Sequence, residues 1–391
     1  MRAVVLEGEW RPRPGYRLTA EEAEGRWARE ARMVWREPRW RLREVAMPER
    51  RAPGDVLVRV RAAGIAVSTL RMTSTDAEGY VLLPYRMSLP VIPGHEFAGE
   101  VVEVGPEVAG FAVGDPVAIE SLRPCGRCAA CVAGHVNACQ VGGFAGFTQD
   151  GGFAEYAVVP ATHLRSLAAL HAAVPAADVY ELGVLSEPAA IAYVGMFRVD
   201  GHLRPGMSVA VFGAGPIGQA AIALARCAGA SVVCAVEPAA ARREIAVALG
   251  ADVVTSGEDA PAELVIAEAT GGRGADLVID TTGDAAGVLP RVQAALTVGG
   301  HVLQLGVGGP AAPLSTIGAM VRAAVHSFSM GHLGGFEPVI DLQARGRLDL
   351  RAMIGQRSSL EDAVGALSDA VGRRSGKSLI VMSDDPEKIA S

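Results

Sequence analysis

The segment VAVFGAGPIGQAA constrains the fold of this chain more than any other. An apolar run leads into glycines at Gly213, Gly215 and Gly218, and helical periodicity begins at once, with Ile217, Ala220, Ala221 and Leu224 on one face. The next apolar run, SVVCAV, is closed by an acid, Glu237. A lone Gly-x-Gly-x-x-Gly is a weak signal, but strand, glycines, helix, strand and terminal acid in this order describe a dinucleotide-binding βαβ unit. The glycines let the backbone approach a pyrophosphate, and the helix N-terminus offers it unpaired N–H groups and the positive end of a dipole. Gly213, Gly215, Pro216, Ile217 and Gly218 are therefore the expected phosphate-binding residues. Glu237 would accept hydrogen bonds from an adenosine ribose diol and repel a 2′-phosphate, which favours NAD over NADP. Arg242 and Arg243 follow the acid and could hold that phosphate, or could equally form a solvated helix face. Further cofactor contacts are expected at Thr281, Gly306 and Val307, which follow the runs DLVID and HVLQL.

From Ser208 to about Gly306, the runs SVAVF, SVVCAV, DVVT, DLVID and HVLQL alternate with helix-length segments, as a parallel sheet with crossover helices requires. The preceding chain is richer in Gly and Pro. Its pieces DVLVRVRAAG, EFAGEVVEVG and GGFAEYAVV read as strands of a mainly β domain. Beyond the array, EDAVGALSDAVGR reads as a helix and KSLIVM as a strand. At 391 residues the chain is long enough for two cores. The fold class is α/β.

A net charge of −7 provides no electrostatic footprint for nucleic acid or an anionic membrane, and neither is an expected partner. No apolar stretch runs uninterrupted for the roughly twenty residues that span a bilayer. Glu7 and Glu9 fall where an export signal needs an apolar core, so a cytoplasmic, reducing location is expected. In that setting the run CGRCAACVAGHVNAC reads as a metal site rather than a disulfide framework. Cys125, Cys128, Cys131 and Cys139 could surround one tetrahedral zinc. An iron–sulfur cluster is the competing functional reading, and free buried thiols are the bland one. A shell filled by four protein ligands leaves no position for substrate or water, so these cysteines are expected to pin a loop while chemistry happens elsewhere.

PGHEFAGEVVEVGPEV, the four-cysteine loop, GGFAEYAVV, SEPAAIAYVG and VAVFGAGPIGQAA together resemble the zinc-dependent alcohol and polyol dehydrogenases of the medium-chain dehydrogenase/reductase superfamily. The insert EWRPRPGYRLTAEEAEGRWAREARMVWREP and the segment DAEGYVLLPY are similar to cyclitol dehydrogenases that act on inositol-type ketones such as scyllo-inosose. The resemblance implies a GroES-like catalytic domain over residues 1–190, a Rossmann domain over 191–335, and a segment 336–391 returning to the catalytic domain. It also implies hydride transfer between nicotinamide and a secondary alcohol or ketone in the cleft between the domains. A catalytic zinc would polarise the reacting oxygen, and the assembly would be a homodimer or homotetramer.

Carried over residue by residue, the resemblance exposes a departure in the segment AVSTLR. Ala66 stands where the family has a zinc-ligating cysteine, Thr69 where it has the carboxylate that orients the ligand histidine, and Arg71 where it has the histidine that passes a proton to solvent. Ser68 keeps the hydroxyl that would hydrogen-bond the reacting oxygen. His95 matches the ligand histidine, Glu96 the neighbouring acid, and Glu187 in SEPAA the acid near the metal in polyol members. Losing a thiolate and its supporting carboxylate together reads as abandonment of the catalytic metal.

The leading expectation is an NAD(H)-dependent oxidoreductase on a polar cyclic ketone or alcohol, with one structural zinc and no complete catalytic zinc site. His95 or Arg71 would stabilise the oxyanion and Ser68 relay a proton. The alternatives are a conventional zinc enzyme using His95, Glu96 and Glu187, and a non-catalytic nucleotide-binding protein that kept the fold. Tyr80 and Tyr85, in the segment shared with the inosose-type enzymes, are assigned to packing first and substrate contact second.

Overall fold

The computed structural model describes residues 1–139, 141–308, 314–370 and 375–382. They form two compact units, one holding Met1–Val184 with 356–370 and 377–382, the other Leu185–Gly355 with 375 and 376.

The first unit is mainly β. Its strands are β1 (Arg2–Trp10), β2 (Trp35–Glu44), β3 (Asp55–Gly64), β4 (Phe97–Val104), β5 (Pro116–Ile119), the short pair β6 (Leu122–Arg123) and β7 (Gly143–Phe144), β8 (Tyr156–Pro160) and β9 (Leu164–Ser166). Strand β3 pairs antiparallel with both β4 and β8. Its alternation buries Val56, Val58 and Val60 against Phe97, Val101, Val117 and Val159, the period-two pattern of a sheet with one covered face. The insert between β1 and β2 begins with a capped helical turn, Ala20–Gly25, in which Thr19 and Glu22 cap each other's backbone. Trp35, fully buried, donates its indole N–H to the Met87 carbonyl, and Leu6, Val34, Met72, Leu83 and Phe147 complete this second core.

The second unit is the expected parallel array. Strands β10 (Ser208–Phe212), β11 (Val232–Val236), β12 (Val253–Thr255), β13 (Ala275–Asp280), β14 (Leu296–Gln304) and β15 (Val325–Phe328) lie in the order β12-β11-β10-β13-β14-β15. All neighbours are parallel, with Val236, Phe212, Asp280, Gln304 and Phe328 in one row at the carboxyl ends. Strand β10 is buried throughout, as a central strand covered on both faces must be. The helix Val179–Tyr193 carries the chain from one unit into the other. With the turn that follows it, Val179–Val199 is long and apolar enough to cross a membrane, but 72% of it is buried inside the protein, the mark of a core helix.

Residues 336–355, expected to return to the catalytic domain, belong to the second unit. The helix Phe336–Ala344 buries Phe336, Val339 and Ile340, and Gln343 donates to the Ser186 hydroxyl at 3.1 Å. A Cβ on Gly335 would lie 2.6 Å from the Ala190 carbonyl oxygen, so only glycine lets the chain pass that close. The return comes later, through β16 (Ile354–Ser358), the helix Ala363–Ala370 and β17 (Lys377–Val381), which pairs antiparallel with β3.

Candidate active site

Three glycines of the nucleotide loop have three different physical reasons. Gly213 has φ +87°, the left-handed region that a side chain strains. Gly218 packs so tightly that a Cβ would lie 1.9 Å from the Gly213 carbonyl oxygen. Gly215, the N-cap of the helix Pro216–Cys227, has ordinary extended backbone, and a Cβ there would meet no protein atom within 4 Å. Packing does not require a glycine at Gly215, whereas a pyrophosphate approaching the helix N-terminus does. Pro216 occupies the first turn, where its missing N–H costs nothing, and Ile217 follows it. The residues present fit a dinucleotide, held by the Gly213–Gly218 loop and Glu237.

Glu237 directly follows β11 and is buried. Its carboxylate accepts from the backbone N–H of Ala214 at 2.8 Å and of Ala239 at 3.0 Å, which ties the acid to the glycine loop. Each carboxylate oxygen has two acceptor sites, so these bonds leave capacity for a ribose diol. Arg243 donates to the carbonyls of Glu237 and Pro238, while Arg242 approaches Glu237 at 3.9 Å and donates to the Ser375 carbonyl. Thr281 donates its hydroxyl to the Phe212 and Gly213 carbonyls and so braces the loop from β13. Gly306 donates its N–H to the Asp280 carbonyl, and a Cβ there would lie 2.4 Å from the Gly283 nitrogen; Val307 beside it is exposed. The Gly213 and Thr281 segments thus flank the β10–β13 step, where strand order reverses and ligands bind in such sheets.

In the first unit, Cys125, Cys128, Cys131 and Cys139 present their sulfurs within 4.8 Å of one another. Backbone N–H groups of Cys125 and Cys128 point at the sulfurs of Cys139 and Cys125, each at 3.3 Å. Donors to sulfur favour thiolate. The N–H groups of Arg127 and Cys128 lower the Cys125 thiol; in Cys139 the N–H groups of Cys125 and Val141 outweigh desolvation and bring it to about 6. Desolvation and the neighbouring Cys128 push Cys131 up to about 12. Four thiols converging in a partly exposed loop, two already biased toward thiolate, fit a soft tetrahedral cation.

His95 is buried in the same unit, its ring beside Phe144 and Phe147 at centroid distances of 5.2 and 5.4 Å. Ser68 and Thr69, on the short helix Val67–Leu70, place hydroxyls 3.4 Å from Nε2 and from Nδ1 respectively. Thr69 thus takes up the ring nitrogen that a carboxylate would orient. Ala66, buried at the N-cap of that helix, offers no donor atom. The carboxylate of Glu96 is ion-paired with the ammonium of Lys377, both side chains being almost completely buried. Turning Glu96 toward a metal would strand the Lys377 charge in the core, a cost of about 3–5 kcal/mol when one partner of such a pair is lost. Arg71 is exposed, near enough to Tyr85 to oppose the upward push that burial gives its phenol. Tyr80 is buried beneath the guanidinium groups of Arg13 and Arg36, 3.9 and 5.2 Å from its ring centre, which assigns it to packing.

Glu187 lies in the second unit. There its carboxylate meets Nδ1 of His332 at 3.1 Å, again with both side chains buried. Glu96 and Glu187, each in its own unit, are both engaged by a cationic or protonatable partner. The pairing of Lys377 with Glu96 and of His332 with Glu187 has no local signal in the sequence. The only available signal for Lys377 was its rarity, one of two lysines in the chain, placed at the head of the apolar run SLIV.

Residues 52–169 match the alcohol dehydrogenase GroES-like domain, and residues 216–345 match the zinc-binding dehydrogenase domain. The scyllo-inosose 3-dehydrogenase of Thermotoga maritima is 36% identical over 93% of this chain and 94% of its own length. The L-threonine 3-dehydrogenase of Pyrococcus horikoshii is 37% identical over 68% of this chain and 72% of its own. A solved Thermotoga maritima chain, given as a candidate alcohol dehydrogenase, superposes with a TM-score of 0.92 at 34% identity, covering 97% of this chain and 99% of that one. This chain belongs to the zinc-type medium-chain dehydrogenase/reductase superfamily, with a GroES-like domain and a Rossmann domain. It is an alcohol oxidoreductase, similar to the cyclitol dehydrogenases.

Proposed function

We propose that the protein uses NAD(H) to interconvert a secondary alcohol and a ketone on a polar cyclic substrate, a cyclitol, aminocyclitol or sugar, without zinc at the reacting oxygen. The commitment of Glu96 to Lys377, beside an Ala66 that cannot ligate, carries the zinc-free reading. Bound nicotinamide dinucleotide supplies or accepts the hydride. The second unit holds it through the glycine loop and Glu237, whose carboxylate disfavours a 2′-phosphate. The first unit supplies Ser68 and His95, hydrogen-bonding groups that stabilise charge on the substrate oxygen. Arg71 serves as a fixed positive charge near the substrate rather than as a proton relay. The cysteine loop holds one structural zinc. The substrate class rests on the likeness to scyllo-inosose 3-dehydrogenase over almost the whole of both chains.

Oxidation of NADH by purified protein across a panel of keto-cyclitols and keto-sugars tests the proposal. Turnover with at least one of them is expected, with NADH bound more tightly than NADPH. NADH that binds but is never consumed would favour the non-catalytic alternative, and tighter NADPH would move attention to Arg242 and Arg243.

A further inference from the structure

A polar cyclic substrate carries hydroxyls besides its reacting oxygen, and each one buried on binding needs a partner. We propose that Tyr85 supplies one: its phenol hydrogen-bonds a substrate hydroxyl on a carbon other than the reacting one, which makes Tyr85 a specificity-determining residue. The inference rests on the oxidoreductase reading above, with the reacting oxygen at Ser68 and His95.

The chain around Tyr85 is pinned on both sides. Leu83 and Met87 are buried in the core of the insert, and Tyr85 between them is half-buried. The Leu83 and Tyr85 carbonyls accept from the N–H groups of Arg32 and Ala31 at 3.2 and 3.0 Å. The Met87 carbonyl accepts from the Trp35 indole at 3.0 Å, and the Ser88 N–H donates to the Phe147 carbonyl at 2.9 Å. A segment held at Leu83, Tyr85, Met87 and Ser88 gives the ring its position before any ligand arrives, so little freedom is lost on binding.

The neighbours of the ring connect it to the reacting groups. Tyr85 meets Phe147 edge-on at a centroid distance of 5.8 Å, Phe147 stacks on Phe144 at 4.8 Å, and the His95 ring rests against both. Phe147 is fully buried, so it is a spacer one phenyl ring wide between His95 and Tyr85. The second connection runs through Ser68, whose hydroxyl lies 3.4 Å from His95 Nε2, and Arg71, whose charge acts on the Tyr85 phenol. Three residues apart along one helical stretch, these two side chains share a face. All six residues belong to the first unit.

Among the described residues the Tyr85 hydroxyl has no hydrogen-bond partner. A half-buried tyrosine ordinarily finds one, and packing alone would be served by phenylalanine, as at Phe144 and Phe147. Burial pushes the phenol up against the opposing pull of Arg71, so the O–H is retained through neutral pH and can both donate and accept. Tyr80, from the same segment, lies under Arg13 and Arg36 instead and serves as the control.

The test compares wild type, Tyr85→Phe and Tyr80→Phe, using the best substrate of the keto-cyclitol and keto-sugar panel and its analogues that each lack one hydroxyl. Wild type should lose about three- to tenfold in kcat/KM on one analogue, the worth of a neutral hydrogen bond. Tyr85→Phe should raise KM for the full substrate by a similar factor with kcat nearly unchanged, because the lost bond holds ground state and transition state alike. On the analogue that wild type rejects, Tyr85→Phe should cost nothing further, a non-additivity that a merely structural role would not produce. Tyr80→Phe should discriminate among the analogues as wild type does. A Tyr85→Phe variant with unchanged KM, or with the same loss on every analogue, overturns the proposal and leaves the oxidoreductase reading standing. Should Tyr85→Phe fail to fold, 3-fluorotyrosine in place of Tyr85 decides. Its fluorine resonance in the NAD⁺ complex should move when the full substrate binds and stay when the rejected analogue binds, and an unmoved resonance with both overturns the proposal. A wild type that binds NADH and reduces no ketone overturns both readings.

Discussion

The cysteine loop and the His95 cluster lie in the same unit and look alike as inventories of metal-type side chains, yet they are built in opposite ways. All four thiols come from one short stretch, and backbone N–H groups of that stretch point at the sulfurs. Around His95 each polar atom is met from elsewhere in the sequence: Ser68 and Thr69 lie on either side of the ring, and Lys377, from β17, takes the Glu96 carboxylate. An internal cation that pairs with a carboxylate beside a histidine competes with any metal for it. The comparison teaches that a ligand motif must be judged with its competitors.

The largest expected effect breaks the comparison outright. Elemental analysis of undenatured protein should find one zinc per chain, unchanged in His95→Ala. Cys128→Ser should abolish it and cost on the order of 5 kcal/mol of stability, since metal binding to such a loop is also folding energy. Two zinc ions per chain, the second lost with activity in His95→Ala, would show that the His95 cluster is a metal centre after all.

A somewhat smaller effect belongs to the buried pair. Lys377→Met leaves the Glu96 charge unneutralised and should destabilise the protein by about 3–5 kcal/mol in denaturant unfolding. Adding Glu96→Gln should recover much of the loss, because two neutral groups no longer strand a charge. If the double variant is no more stable than the single one, Lys377 matters for packing and not as the counter-charge that withholds Glu96.

The same contrast explains how far the sequence could be read. The parallel array, the glycine turn between β10 and its helix, and the gathering of the four cysteines are local, with spacing, periodicity and terminal acid all inside contiguous segments, and they were legible. The runs SVAVF and DLVID became β10 and β13, and KSLIVM became β17. Partners brought together by topology were not legible. Lys377 reaches Glu96 only because β17 pairs with β3 and the Gly64 backbone passes close to both side chains. His332 reaches Glu187 only because a glycine lets its segment approach the helix at Ala190. The placement of 336–355 failed for the same reason, since an amphipathic helix does not announce which core it covers.

Within the nucleotide loop the comparison sharpens further, because one motif contains a structural and a ligand-facing glycine. Gly218→Ala forces a methyl group against the Gly213 carbonyl oxygen and should cost about 3 kcal/mol, at the upper end for overpacking. Gly215→Ala meets no protein atom and should leave thermal stability nearly unchanged while weakening NADH binding measurably by calorimetry. Equal losses of stability in the two variants would mean that the glycine at Gly215 serves packing, and the fit to a pyrophosphate would lose its support.

The smallest effect probes the His95 ring itself. Thr69 is fully buried and its hydroxyl lies 3.4 Å from Nδ1, longer than a well-formed hydrogen bond. Thr69→Val keeps the shape and removes the hydroxyl, so the cost is that of one weak neutral bond and a ring nitrogen left less well satisfied, about 1 kcal/mol. If His95 only stabilises charge on the substrate oxygen, together with Ser68, kcat should fall a few-fold and the pH dependence of the rate should not move. If His95 were the proton donor, its loss of an oriented tautomer would shift the pH profile as well as the rate. A moved profile in Thr69→Val would give His95 an acid–base role and overturn its assignment as a stabiliser of charge alone.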